Sequence, residues 1–422
     1  MKVKNCIDLL KKLQSDEISN ILGKKGFIFD VMNYDDKQIK DILSSTLPIL
    51  MCIKLRLYAY VEEEVVKEIL EILNETKSDN YEYVFDYLME TYGVETQLLM
   101  KTIKIIATAS EKHQAKVVSE IASNRVINQY LDEDHFLKAI SITASSKEEF
   151  QAIATKDIVL NYTLMTNYNP DEIIEAMEFG SQQKNSSNAG YLASVLINLG
   201  ISKEKAFKLM IDIIQLENEE QAKCVDHIKN EIELLEKFDS DEIIEVFEII
   251  VQAKGEFQAG QARDMICSKE MHDCLKSKDL LMAMKIVGST EKEYQSSGAR
   301  EICNRYDIKK IGIDNTLKSM SLVGAAKEKH QVLWMKELIT KLGDIEEKTL
   351  FQALDLISRT FDEDAAISIL NNLALANNIN DSTGKIVRIQ HSHFYNQKEL
   401  IRALKMLSPE EDINEKTFVM IM

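Results

Sequence analysis

Few residues in this sequence break helices. The 422-residue chain holds only three prolines, Pro48, Pro170 and Pro409, and 14 glycines. Proline lacks the amide hydrogen that a helix interior needs, and glycine lowers helix stability, so their scarcity leaves long tracts free to be helical. The composition therefore predicts an all-α protein.

The sequence also has no long apolar run. Its longest, residues 47–53, is far shorter than the roughly 20 residues that span a bilayer. Asp8, Lys11 and Lys12 interrupt the N-terminal stretch, where a signal peptide has a continuous apolar segment. We therefore expect neither a membrane-spanning segment nor a secretion signal.

The cysteines lack the spacing of a disulfide framework. None belongs to a CxxC pair. The six are Cys6, Cys52, Cys224, Cys267, Cys274 and Cys303. Scattered cysteines of this kind are typical of reduced, mostly buried thiols, so we predict a cytoplasmic protein.

Motifs that bind cofactors or carry catalysis are absent as well. The glycines form neither GxGxxG nor GxxxxGK[ST], and GxSxG, HExxH and DxDxDG do not occur. Two weak clusters remain as alternatives. His391 and His393 share a face only in an extended segment, and Cys267, His272 and Cys274 are spaced unlike zinc ligands. We predict no catalytic residue, no cofactor and no metal ion.

What the chain does contain is a recurring segment. VQAKGEFQAGQARDMI at 251–266 is similar to IATASEKHQAKVVSEI at 106–121, IVGSTEKEYQSSGAREI at 286–302 and VGAAKEKHQVLWMKELI at 323–339. Each copy has a small-residue loop, charged residues, an aromatic residue or His, a Gln and then a helical run. This order predicts the tip and second helix of a helical hairpin.

An amide residue marks the period of the motif. The aligned residues, spaced 33 to 37 apart, are Gln114, Gln151, Asn188, Gln221, Gln258, Gln295 and Gln331. Weaker copies occur at Asn80, Asp364 and Gln397. A period near 36 residues indicates a right-handed α-solenoid of about nine to ten hairpins.

The repeated segment also suggests how the chain is divided. We place an atypical N-terminal helical cap at 1–60, the hairpin repeats at 61–408 and a C-terminal tail at 409–422. In period and helix pattern the chain resembles α-solenoid proteins, in the broad sense of HEAT, armadillo and TPR repeats, over about 340 residues. It lacks the ordered Gly, Tyr and Pro positions of TPR units and the Asp and Arg positions of HEAT units, so the resemblance assigns no specific family. It implies a binding scaffold.

The repeated glutamines allow two interpretations. They could form a ladder of amides that binds a peptide or nucleotide, or they could satisfy backbone groups at the hairpin tips. In a helix, the residues four and seven positions after Gln114 lie on its face, and these are Val118 and Ile121. Because that face is apolar, we predict a buried, structural role.

The chain is acidic, with 69 Asp and Glu against 51 Lys and Arg and a formal net charge of −18. Residues 171–250 hold 18 of the acidic residues against seven lysines. Within them, the candidate binding residues are Glu217, Glu219, Glu220, Glu231, Glu233, Asp239 and Asp241. They form either an ordinary solvated surface or a docking surface for a basic protein, which acidic charge would attract.

Basic residues are concentrated at the N-terminal end of the chain. Residues 1–29 contain six lysines and three acidic residues. The lysines include Lys11, Lys12, Lys24 and Lys25. The order of a helix, a glycine turn and an apolar run there is similar to a helix-turn-helix. Nucleic-acid binding at this end is therefore an alternative, although the acidity of the whole chain does not favour it.

Together these patterns predict a non-enzymatic scaffold or adaptor that holds another protein or peptide along the concave face of the solenoid. The first alternative is a regulator whose N-terminal helices contact nucleic acid and whose repeats sense a peptide or protein. The second is an enzyme on a helical-repeat scaffold, such as a base-excising glycosylase. That enzyme would require a basic groove, which an acidic chain does not indicate.

Overall fold

The computed structural model of the chain describes residues 2–23, 33–91, 94–305 and 312–341, with the pairs 350–351, 354–355 and 357–358. These residues form α-helices joined by turns and short 3-10 helices, and no β-strand occurs among them. The predicted all-α class is confirmed. Across the same residues, no helix is long and apolar enough to pass through a bilayer.

Contacts between residues divide the chain into two compact units, Met1–Glu217 and Asn218–Met422. The predicted boundaries after residues 60 and 408 stay predictions. Several sequence-based candidates lie outside the described residues. These are Lys24, Lys25, Asp364, His391, His393, Gln397 and the tail 409–422.

The first unit contains fourteen of the helices that the structure describes. They are α1 (Lys2–Leu13), α2 (Asp16–Gly23), α3 (Asp36–Leu43), α4 (Pro48–Tyr60), α5 (Glu63–Asn74), α6 (Tyr81–Glu90), α7 (Thr96–Thr108), α8 (Lys112–Ala122), α9 (Glu133–Ala144), α10 (Glu149–Val159), α11 (Tyr162–Asn167), α12 (Pro170–Gly180), α13 (Ala189–Asn198) and α14 (Lys203–Ile214). Short 3-10 helices occur at Ser78–Asn80 and Ile127–Gln129.

The second unit continues the same alternation of helix and short turn. Its described helices are α15 (Glu219–Asn230), α16 (Ser240–Val251), α17 (Glu256–Ile266), α18 (Lys269–Cys274), α19 (Ser277–Ser289), α20 (Glu293–Arg305), α21 (Ile313–Gly324) and α22 (Lys329–Lys341). We use the term second helices for α6, α8, α10, α13, α15, α17, α20 and α22, after their place in the predicted hairpins. We extend the term to α2 and α4, which belong to the predicted cap, because α2 packs on α4 and α4 packs on α6.

Local sequence determines where many helices begin. Asp35, Asp132 and Asn169 are N-caps whose side chains accept hydrogen bonds from backbone N–H groups of the first turn. Pro48 and Pro170 occupy the start of α4 and α12, where a helix does not need the missing N–H. The starts of these helices are therefore encoded by local sequence.

Packing connects helices that are close in sequence. In the first unit α8 contacts α6, α7, α9 and α10, and in the second unit α17 contacts α15, α16, α19 and α20. Apolar side chains of these helices, such as Ile103, Val118, Ile140, Phe247 and Met284, are fully buried. Each unit thus buries its apolar faces between successive helices, as the 3.6-residue spacing of those faces requires.

Helix α4 is buried around most of its circumference, including all of residues 51–57. Two of these residues are charged. Lys54 Nζ lies 3.0 Å from Asp41 Oδ1, and Arg56 Nε donates to the Leu88 carbonyl at 2.9 Å. Each buried charge therefore has a partner, which its removal from water requires. Residues 48–60, predicted as part of a cap, contain a core helix.

A glycine allows two helices of the second unit to approach each other closely. A Cβ placed on Gly298 of α20 would overlap Val332 Cγ1 of α22. A Cβ on Gly260 of α17 would meet no atom within 4 Å. Glycine is thus required by packing at position 298 and not at position 260.

Candidate functional site

The predicted amide residues lie near the starts of second helices. Among them Gln151 is partly exposed. The buried ones are Gln114, Gln221, Gln258, Gln295 and Gln331. A row of amides available to a ligand would need exposed side chains, and five of these six glutamines are buried.

Several of these side chains form hydrogen bonds near the ends of two different helices, one through the amide oxygen and one through the amide nitrogen. Gln151 Oε1 accepts from the backbone N–H of Glu148 at 3.1 Å, at the start of its own helix. Its Nε2 donates to the Gln183 carbonyl at 2.9 Å, just beyond α12. The amide therefore satisfies an orphan donor of one helix and an orphan acceptor near the end of another.

The same arrangement recurs in both units. Gln114 Nε2 donates to the Ser146 carbonyl, Gln221 Nε2 to the Ala253 carbonyl at 3.0 Å, and Gln295 Nε2 to the Ala326 carbonyl at 2.5 Å. In each bond the acceptor lies 31 or 32 residues further along the chain. We call these bonds, with that of Gln151, the forward amide bonds.

Two asparagines make further forward amide bonds. Asn80 Nδ2 donates to the carbonyls of Ala107 and Ala109 at 3.1 and 2.9 Å. Asn188, aligned with the glutamines by sequence, is instead the N-cap of α13. Buried Asn185 makes the bond, donating to the Leu216 carbonyl at 2.8 Å. The sequence alignment was therefore displaced by three residues at this loop.

The first of the predicted acidic residues have partners close by. Glu217, at the end of the first unit, forms an ion pair with Lys184. Glu219 and Glu220 lie in the first turn of α15, where the helix dipole stabilises negative charge. Glu220 also lies 2.7 Å from Lys223 Nζ. Much of this charge thus has a local structural role.

The remaining acidic candidates lie between α15 and α16. Asp239 is the N-cap of α16, and its side chain accepts from the N–H groups of Asp241 and Glu242 at 3.0 and 2.9 Å. Glu231 and Glu233 are exposed beside and within the 3-10 helix at Ile232–Leu235. These residues share one connection within the second unit, and their use by a partner stays a prediction.

A row of charged residues that the sequence reasoning missed crosses three second helices. Its members are Arg263 and Asp264 on α17, Arg300 and Glu301 on α20, and Lys336 on α22. Arg300 Nη1 donates to Asp264 Oδ2 at 2.8 Å, and Lys336 pairs with Glu301. The five side chains are between 20% and 33% exposed. We call them the charged row.

An exposed apolar side chain adjoins the charged row. Leu333 lies three residues before Lys336 on α22, so the two share a helix face, and it is 48% exposed. The first unit repeats this geometry: Ile153, 39% exposed, precedes Lys156, whose Nζ lies 3.0 Å from Glu120 on α8. In both units the second helices thus combine ion pairs with exposed aliphatic side chains.

The signal for these ion pairs was present in the sequence. Glu120 and Lys156, and likewise Asp264 and Arg300, are separated by 36 residues, close to the proposed period. A search for opposite charges one period apart would have found them. Such partly exposed pairs contribute about 0–1 kcal/mol each, so they add little to the stability of the fold.

Burial makes three of the nearby thiols poor nucleophiles at neutral pH. Burial raises the pKa of Cys267 and of Cys303 to about 11, and it also raises the pKa of Cys224. These thiols stay protonated at neutral pH, and only the thiolate attacks an electrophile. Among the described residues, no group of three or more His, Cys, Asp or Glu side chains is placed to hold a metal ion.

Comparison of the chain with models of known protein families and with curated proteins finds no match.

Proposed function

We propose that the helices form a right-handed α-solenoid of about nine to ten hairpins with a period near 36 residues. Two features support this proposal. Helices pack on near neighbours in sequence within each unit, and the forward amide bonds of Gln114, Gln151, Gln221 and Gln295 span nearly constant chain lengths. Both are expected where each repeat contacts only adjacent repeats.

We further propose that the chain is a non-enzymatic cytoplasmic scaffold that binds another protein through its second helices. The observation that carries this proposal is the charged row, with exposed Leu333 beside it. Protein interfaces combine an apolar anchor with surrounding polar groups, and arginine is enriched in them. The thiols, free of disulfides and largely buried, are consistent with a reducing compartment.

The acidic residues between α15 and α16 would assist this function by electrostatic steering. Charge at the rim of an interface mainly raises the association rate. Replacing Glu231 and Glu233 with lysine should therefore slow association with a basic partner and reduce its dependence on salt. Dissociation should change little.

A matched pair of substitutions tests the proposed surface. Leu333 on α22 and Met282 on α19 are exposed to the same extent, 48% and 50%, in the same unit. Tagged wild-type chain would be used to isolate a stoichiometric, nuclease-resistant partner from extract of the source cells, and that purified partner would then be titrated against each variant. Leu333→Glu should weaken binding about tenfold or more, as expected for an interface anchor, and Met282→Glu should not.

The outcomes separate the alternatives. Equal losses in both variants, or a loss only in Met282→Glu, would contradict the choice of surface. A partner lost on nuclease treatment would contradict the scaffold and favour nucleic-acid binding. In that case neutralising Lys11 and Lys12, which lie on α1, should reduce the salt dependence of binding.

A further inference from the structure

The first unit contains an apolar groove along three second helices. Two adjoining cavities of about 350 and 390 Å³ share Ile21 of α2 and Ile49 of α4. The floor continues to Phe85 of α6 on one side and to Leu47, at the start of α4, on the other. Leu47 is 39% exposed, so this apolar surface is open to solvent.

Carboxylates surround this groove. Glu17 of α2, Asp79 of the 3-10 helix before α6 and Glu82 of α6 line the two cavities, and all three are exposed. Within the part of the chain that the structure describes, none of the three has an ion-pair partner. No Lys, Arg or His lines either cavity. The groove therefore joins an apolar floor to a rim of one sign.

We propose that this groove binds a short amphipathic segment of a partner protein, with apolar side chains on one face and lysine or arginine at its edges. The inference rests on the proposed scaffold function, because it assigns a partner chemistry to the second helices α2, α4 and α6. The apolar face would cover Ile21, Leu47 and Ile49. The basic side chains would reach the carboxylates of Glu17 and Glu82.

Charge complementarity selects this occupant over others. An acidic segment or a nucleic-acid backbone would bring negative charge against unpaired carboxylates, which opposes association. A purely apolar segment would leave these carboxylates beside a low-dielectric contact without counter-charge. Amphipathic helices that place residues i, i+3, i+4 and i+7 into an apolar groove are a common mode of peptide recognition.

A defined probe tests the proposal with the full chain. The probe is a fluorescein-labelled synthetic peptide of leucine and lysine in an amphipathic helical pattern, and fluorescence anisotropy measures its dissociation constant. A peptide with glutamate at every lysine position is the charge control. We expect the lysine peptide to bind, to bind more weakly at high salt, and to compete with the partner isolated on the wild-type chain. The glutamate peptide should bind at least about tenfold more weakly, because like charges repel.

Two variants test whether the peptide binds in the groove rather than being attracted generally to an acidic chain. Leu47→Ser removes the exposed apolar side chain and retains the fold, because serine is a favourable N-cap for α4. It should weaken the lysine peptide about tenfold, the fold-change that corresponds to one buried leucine. The triple variant Glu17→Gln, Asp79→Asn and Glu82→Gln should weaken it to a similar extent and remove most of the salt dependence.

A matched control removes the same charge elsewhere. Glu256→Gln, Glu270→Gln and Asp273→Asn neutralise three exposed carboxylates of the second unit that belong to none of the proposed binding surfaces. If this control weakens the peptide as much as the groove variants do, binding is general attraction to an acidic chain and the proposal is wrong. Unchanged binding in Leu47→Ser would also overturn it. If Leu333→Glu loses partner binding but the lysine peptide does not bind the wild-type chain, the groove inference is wrong and the proposed function is not.

Discussion

At the scale of single residues, one glutamine side chain can connect two helices. The carboxamide accepts through its oxygen and donates through its nitrogen, and Gln114 uses both functions. Its oxygen accepts from the Glu111 N–H at 3.0 Å, and its nitrogen donates to the Ser146 carbonyl. Neither a carboxylate nor an aliphatic side chain can replace both bonds.

Gln114→Ala should therefore lower the free energy of unfolding by about 1–3 kcal/mol, because it leaves a buried carbonyl without a donor. Gln114→Glu should cost more at neutral pH than at pH 4, because a carboxylate repels the Ser146 carbonyl and a protonated acid can donate to it. Urea unfolding followed by circular dichroism measures both. Gln252→Ala, at an exposed position, should change the value by less than about 0.5 kcal/mol. Similar losses at positions 114 and 252 would contradict the assigned role.

His135 provides a test of pH dependence. Its Nδ1 lies 2.8 Å from Asp132 Oδ1 and its Nε2 lies 3.1 Å from Asp171 Oδ1. Hydrogen bonds to Asp132 and then to Asp171 raise the pKa of His135 above its ordinary value. A raised pKa in the folded state means that the stabilisation is fully present below about pH 6.5 and is lost as pH rises through the raised pKa.

The difference in unfolding free energy between wild type and His135→Gln should thus be larger at pH 6 than at pH 9. Urea unfolding at both pH values, at low salt, measures it. Both carboxylates are exposed, so added salt should reduce the difference. In an Asp132→Asn, Asp171→Asn background the difference should no longer depend on pH. A pH dependence that persists there would show that other groups cause it.

At the scale of helices, the distance from a glycine to the neighbouring helix determines whether its replacement by alanine stabilises or destabilises the fold. Gly260→Ala should raise the unfolding free energy by about 0.5–1 kcal/mol, because alanine favours the helix and the site is open. Gly298→Ala should lower it by about 1–3 kcal/mol, because its Cβ overlaps Val332 and α20 must move away from α22. Thermal and urea unfolding measure both changes. A Gly298→Ala, Val332→Ala double variant should remove the overlap, and a double variant no better than additive would contradict this cause.

The helices themselves were predictable, and their contacts were predictable only in part. The helix starts follow from local signals such as Pro170 and Asp239, which the sequence shows directly. The amide alignment identified Gln114 and Gln295 but missed Asn185, because a polar loop between α12 and α13 shifts the amide by three residues. Local sequence does not encode such a shift.

The surfaces were harder to predict than the helices. Arg300 and Asp264 meet only because α17 packs on α20, which a reading of single segments does not reveal. The groove joins Glu17, Ile49 and Phe85 across nearly seventy residues of chain, with no motif in common. By contrast, the acidic candidates at 217–220 are obvious in the sequence, yet Glu217 and Glu220 already have lysine partners.

At the scale of the whole molecule, the division into two units predicts how the chain can be cut. A fragment that ends at Glu217 retains the contacts of the first unit and should show helical circular dichroism and a cooperative thermal transition. A fragment that ends at Gly200 lacks α14 and the Leu216 carbonyl that accepts from Asn185. It should melt at a lower temperature. Equal melting temperatures would show that α14 contributes little to this unit.

The forward amide bonds also bear on how the chain folds during synthesis. A ribosome releases the chain from its N-terminus, so Gln151 emerges well before its acceptor at Gln183. Until about thirty further residues have followed, its Nε2 has only water as a partner. Each new segment would thereby complete the hydrogen bonds of the one before it. Where a forward amide bond is present, folding during translation would advance in steps, because the newest such amide would still lack its acceptor.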